Sequence, residues 1–138
     1  AFAAMGRVSP SYYVQDGVVP RSMLPVVLER IDALSREHGL RVGNVFHAGD
    51  GNLHPLVLYD GANPGEFARA EELAVEILQA CVEAGGSLTG EHGIGITKSE
   101  FLALEQPPHL IELQKQIKAV FDPHNVMNPG KVFWPVKH

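Results

Sequence analysis

Cysteine is almost absent from this chain: Cys81 is the single one in 138 residues, so no intrachain disulfide framework can staple it. A lone cysteine fits a reducing compartment, and the cytoplasm is the expected location. Charge of one sign is also missing as a block. The 11 basic residues are scattered among 16 acidic ones, for a net charge of -5. Without a basic face to track phosphates, nucleic acid is excluded as an expected partner. No apolar run approaches the ~20 residues that cross a bilayer, and no positively charged start leads into a short apolar signal core. The opening Ala1-Phe2-Ala3-Ala4-Met5-Gly6 has neither an initiator at position 1 nor a cap that would begin a domain. The chain is therefore expected to be a piece of a longer protein. Its 45% hydrophobic content is enough for one ordinary core, and a single globular unit over residues 1–138 is expected.

Periodicity then places the elements. Tyr12-Tyr13-Val14 reads as a short strand that exits through Gly17-Val18-Val19-Pro20. Ser22 is expected to cap a helix whose core face is Leu24, Val27, Leu28, Ile31 and Leu34, ending at Gly39. Val42–Phe46 and Leu56–Tyr59 are strand-like runs around an Asp50-Gly51 pair, a strong hairpin signal. Asn63, Pro64 and Glu66 form a helix start, and the stripe Phe67, Ala70, Leu73, Ala74, Ile77, Leu78 and Cys81 runs from it to about Ala84. Cys81 belongs to that stripe and is expected in the core. Thr97 and Glu100 have the spacing of a capping box. A last helix follows Pro107-Pro108, with Leu110, Leu113, Ile117, Val120 and Phe121 on one side, and Val132-Phe133-Trp134-Pro135 is expected as a short edge strand. The order predicts an α+β fold: a small antiparallel sheet with helices on one side, compatible with a ferredoxin-like layout.

The hairpin carries the first chemical expectation. With Asp50-Gly51 as its central pair, His47 would face His54 directly, and opposed residues have Cβ atoms about 4.5–5.5 Å apart on one face. Two rings so placed repel when protonated and profit from a shared ion when neutral. The other histidines, His38, His109, His124 and His138, lack such a context and are expected on the surface. Glu91 and His92 lie in the glycine-rich run Thr89-Gly90-Glu91-His92-Gly93-Ile94-Gly95. There Glu91 offers a hard oxygen ligand, completing a set of three with His47 and His54 and leaving a position open for substrate. Zinc, manganese and ferrous iron all accept these ligands. His92 would stand beside the ion as a base. Taken without the hairpin, an ordinary turn with a capped Glu is the better account of the 89–95 run.

Three motifs in order, His47-Ala48-Gly49-Asp50-Gly51-Asn52-Leu53-His54, Thr89–Gly95 and Asn128-Pro129-Gly130-Lys131, together resemble the C-terminal part of the FAD-linked oxidases of the vanillyl-alcohol oxidase superfamily. The run Tyr12–Arg21 adds a likeness to the glycolate oxidase and D-lactate dehydrogenase group. The resemblance implies a cap domain that completes a substrate site over FAD, which an N-terminal domain outside this chain would bind. It implies His47, His54 and Glu91 as metal ligands, His92 as the base, and Asn128 in the segment that returns toward the flavin. Relatives acting on dicarboxylates have lysine and asparagine where this chain has Val14 and Leu56, so a small monocarboxylate such as glycolate or lactate is the implied substrate. The family's arginine for the substrate carboxylate falls upstream of Ala1. For the whole protein, electron-transfer subunits and a position peripheral to the inner membrane are compatible with this reading.

The implied reaction is oxidation of a 2-hydroxy acid, with His92 taking the hydroxyl proton and hydride passing to FAD. The isolated chain is expected to be inactive. Two other readings fit the same residues: a free-standing divalent-metal hydrolase, and a non-catalytic metal-binding or interface module.

Overall fold

The computed structural model describes residues 5–133, which separate into two compact units, the first ending at Glu91 and the second beginning at His92. Composition led to an expectation of one unit. The α+β class is as expected, and the first unit holds the whole antiparallel sheet. Its strands are β1 (Ser11–Val14), β2 (Gly17–Val18), β3 (Val42–His47) and β4 (Asn52–Tyr59); its helices are α1 (Leu24–His38) and α2 (Pro64–Glu83). β4 is the central strand, pairing antiparallel with β3 along one edge and with β1 and β2 along the other.

β1 and β2 keep one register against β4, from Ser11 opposite Tyr59 to Val18 opposite Asn52. They are one strand interrupted at Gln15 and Asp16. The break has a local cause, because Pro55 of β4 has no N–H to give and only its carbonyl is used, by Gln15 N at 3.0 Å. Alternation along β4 then separates two faces. Leu53 and Val57 join Val27, Ile31 and Leu34 of α1 and Ala70, Leu73, Ile77 and Cys81 of α2 in the core. Asn52, His54 and Leu56 point to the other face, away from those helices, and are buried as well.

Several local expectations needed correction. Ser22 lies inside a 3-10 turn, Arg21–Met23, and α1 starts after Met23 with no side-chain cap; Pro25 near its first position does the work instead. α2 begins as expected, with Asn63 accepting from Gly65 N at 3.2 Å, but Phe67 of its stripe is 41% exposed and meets the rings of Tyr13 and Tyr59. Its position in the first turn of α2 leaves it at the rim of the core. His38 is not a surface histidine: Nε2 lies 3.2 Å from Glu76 Oε1, tying α1 to α2.

The second unit contains a 3-10 turn (Ser99–Phe101), a short helix α3 (Leu102–Glu105) and the longer α4 (Pro108–Phe121). Thr97 does not cap it; Lys98 occupies the cap position with no side-chain capping hydrogen bond, and Ser99 Oγ donates to the Ile96 carbonyl. The apolar face of α4 stays exposed at Leu113, Ile117, Val120 and Phe121. Val132 and Phe133 form a bend where an edge strand was expected, and Trp134 and Pro135 lie outside the described residues.

Candidate metal centre

The turn between β3 and β4 is longer than the tight pair read from Asp50-Gly51. Four residues, Ala48–Gly51, connect the strands, and His47 O accepts from both Asp50 N and Gly51 N at 3.0 Å. Gly51 adopts φ +74, and a Cβ there would lie 2.0 Å from the Val19 carbonyl oxygen. Only glycine fits that close approach, and it sets the register. His47 consequently pairs with Asn52, not with His54, whose partner is Val45. The shift equals two residues, so both imidazoles keep the same face of the sheet; a slip of one would have sent them to opposite faces. They are diagonal neighbours, with ring centroids 5.5 Å apart in an edge-to-face arrangement.

Glu91 reaches this pair from the chain after α2. Val18 and Ser87 exchange backbone hydrogen bonds of 3.0 and 2.8 Å, an isolated bridge that anchors the start of the segment leading to Glu91 beside β2. Gly90 has no room for a side chain, since a Cβ would come within 2.7 Å of both Asn52 Oδ1 and Val18 Cγ2. That close passage brings Glu91 Oε1 to 2.7 Å from His54 Nε2 and 3.7 Å from His47 Nε2. One ligand atom from each of the three residues falls within 4.8 Å of the others.

These residues fit a divalent ion. Ligand bonds of about 2.0–2.2 Å put neighbouring donor atoms roughly 3.0–3.5 Å apart, so small side-chain rotations suffice. His47 and Glu91 have that freedom, with side chains 59% and 53% exposed, whereas His54 is held inside at 9%. The exposed side of the triangle leaves room for a further ligand. Two imidazoles and one carboxylate suit zinc, manganese or ferrous iron.

Two residues of the cluster escaped the sequence reading. Asn52 Nδ2 donates to Glu91 Oε1 at 2.8 Å, and its buried Oδ1 has no partner. Asp16, fully buried, accepts from Thr89 Oγ1 at 2.6 Å, Gly90 N at 3.0 Å and Glu91 N at 3.1 Å. Period-two alternation from His54 marks Asn52 as its same-face neighbour, a signal present in the sequence. Asp16 carried no comparable signal, because nothing in the string reveals that the strand breaks there.

His92 and Asn128 belong to the second unit, and both are exposed. His92 follows Glu91 directly in the chain. Asn128 has φ 50 and begins a turn closed by Lys131 N to its carbonyl at 3.3 Å. The segment leading to it is pinned by Asp122, whose carboxylate accepts from Val126 N and Met127 N and from Lys118 Nζ at 2.5 Å. The Lys118 ammonium, aided by those amides, holds the Asp122 carboxyl below its ordinary 3.8.

Residues 1–132 match the family described as FAD linked oxidases, C-terminal domain. The chain belongs to that family. This FAD-linked oxidase domain is 56% identical over 131 residues to the glycolate oxidase subunit GlcD of Escherichia coli K12, covering 95% of the chain and 26% of the relative. It is 41% identical over 121 residues to a D-lactate dehydrogenase of Archaeoglobus fulgidus, covering 86% of the chain and 26% of that protein. It thus spans about a quarter of the length of these curated relatives. The fold is shared with 4-ethylphenol oxidase from Gulosibacter chungangensis, solved with isoeugenol, at TM-score 0.59 and 20% identity over 91% of this chain and 25% of that one.

Proposed function

We propose that this domain forms the substrate side of a flavoprotein that oxidises a small 2-hydroxy acid, glycolate or D-lactate, to the 2-oxo acid. FAD would be bound mainly by a domain outside this chain. The observation that carries the reading is the convergence of His47, His54 and Glu91 on one face of the sheet in a chain 56% identical to a glycolate oxidase subunit. When bound, a divalent ion would supply Lewis acidity toward the substrate's oxygens, and FAD would accept the electrons. The chain's own residues do the rest. His47, His54 and a Glu91 carboxylate oxygen would hold the ion, and His92 would remove the proton of the 2-hydroxyl as general base. Asn128 lies in the segment assigned to the flavin side.

Substrate size follows from the neighbours of His54. Val14 and Leu56 are cross-strand partners, and Leu56 is fully buried two residues along the same face. A second carboxylate set against that pair would lose its hydration without gaining a cation, which is strongly unfavourable. A monocarboxylate avoids this. The exposed apolar face of α4 is the surface this reading gives to the flavin domain, and electron-transfer subunits and a cytoplasmic, membrane-peripheral location belong to the parent enzyme. His92→Ala in the full-length protein tests the chemistry. Turnover should fall at least 100-fold with metal content intact, and unchanged turnover would remove His92 from the mechanism.

A further inference from the structure

Beneath the three proposed ligands lies a carboxylate that none of the preceding roles uses. Asp16 is completely buried. His54 Nδ1 is 4.0 Å from Asp16 Oδ1. The other ring nitrogen, Nε2, faces Glu91. The interrupted strand explains the placement: continuing the common register of β1 and β2 sets Asp16 opposite His54 across β4. At the same time its carboxylate gathers the Thr89 hydroxyl and the Gly90 and Glu91 amides. One side chain therefore touches the elements carrying two of the three ligands.

We infer that Asp16 is a positioning residue of this centre: it fixes the backbone from which Glu91 reaches out and orients His54 so that Nε2, not Nδ1, is the ligand atom. The inference rests on the metal reading above and adds a residue to it. Physically, a metal-binding imidazole needs its second nitrogen protonated and held by an acceptor, which sets the ring's tautomer and raises its basicity. Asp16 Oδ1 faces that nitrogen from 4.0 Å, beyond hydrogen-bond distance here, and a small rotation of the ring as it takes up an ion would bring the two into contact. Three donors from residues 89–91 keep the Asp16 carboxylate from rotating away.

The test uses the purified chain and zinc alone, with affinity measured by competition against a chromophoric chelator. Asp16→Asn removes the charge at constant size and should weaken zinc binding about 10- to 100-fold, the range found when such supporting residues are lost. Thr89→Val removes a hydrogen bond from the same carboxylate but leaves its charge, and should cost about threefold or less. Glu91→Gln, which alters a ligand itself, reports on the metal reading separately. Cobalt substitution adds a spectroscopic readout: the ligand-field bands should shift in Asp16→Asn and stay at wild-type positions in Thr89→Val. Equal losses in the Asp16 and Thr89 variants, or wild-type affinity in Asp16→Asn while Glu91→Gln loses zinc, would overturn the role of Asp16 alone. Weak zinc binding by wild type and Glu91→Gln alike would overturn the metal reading and this inference with it. Should Asp16→Asn not fold, nitrogen-correlated NMR of the zinc-loaded wild type decides the matter. A His54 Nδ1 proton protected from exchange is expected, and an Nδ1 that is unprotonated or bound to zinc would overturn the proposal.

Discussion

At Gly90 the distance between a working and a spoiled site is one methyl group. A Cβ would press on Asn52 Oδ1 and Val18 Cγ2 at 2.7 Å, and both neighbours are seated in the sheet. Gly90→Ala should therefore lower stability by about 1–3 kcal/mol, the usual cost of overpacking, and displace Glu91. Urea denaturation measures this, and an unchanged midpoint would show that residues 89–91 can move aside freely. At this scale the sequence was readable where chemistry is written in residue type. His47, His54 and Glu91 were named from their identity and spacing, and the structure brings all three together. Asn52 was not named although its two-residue spacing from His54 marked it, and Asp16 had no signature at all, because its place depends on a register known only from the fold.

The elements themselves were legible wherever a periodic stripe met a cap or a glycine. α2 starts at its Asn63 cap and α1 ends at Gly39 as expected. The hairpin shows what local reading misses: Asp50-Gly51 was taken as the tight pair, but contact between Gly51 and Val19 O, a tertiary event, chose a four-residue turn. The two-residue shift left the histidine faces unchanged, which is why the site survived an incorrect pairing. The exit of α4 makes a prediction at this scale. Asp122 titrates below its ordinary 3.8, so its contribution to holding Val126 and Met127 is complete above that value and is lost as pH falls through the lowered one. Replacing Lys118 with Met should bring the Asp122 carboxyl back up toward 3.8 in an NMR titration. Identical midpoints in the two proteins would mean that Lys118 does not hold it.

At the scale of the whole molecule, the sheet packs one face against α1 and α2 and carries His47 and His54 on the other. α1 and α2 cover Leu53 and Val57, which frees Asn52, His54 and Leu56 to line the other side. The Val14–Leu56 pair sits in that row, so exchanging it for Lys and Asn should move the full-length enzyme toward 2-hydroxydicarboxylates. The ratio of kcat/KM for a dicarboxylate over glycolate should rise about 10-fold or more, since a buried carboxylate would then have a partner. An unmoved ratio would place substrate discrimination elsewhere. The division of the chain at Glu91–His92 was not legible from composition, because hydrophobic content reports how much core is possible and not how it is partitioned. The claim on which everything else depends is that His47, His54 and Glu91 share an ion, and elemental analysis of the purified protein tests it most directly. Wild type should carry about one divalent ion per chain and His54→Ala close to none, with the fold retained in both. Wild-type protein with no stoichiometric metal, and a melting temperature indifferent to chelator, would contradict the account.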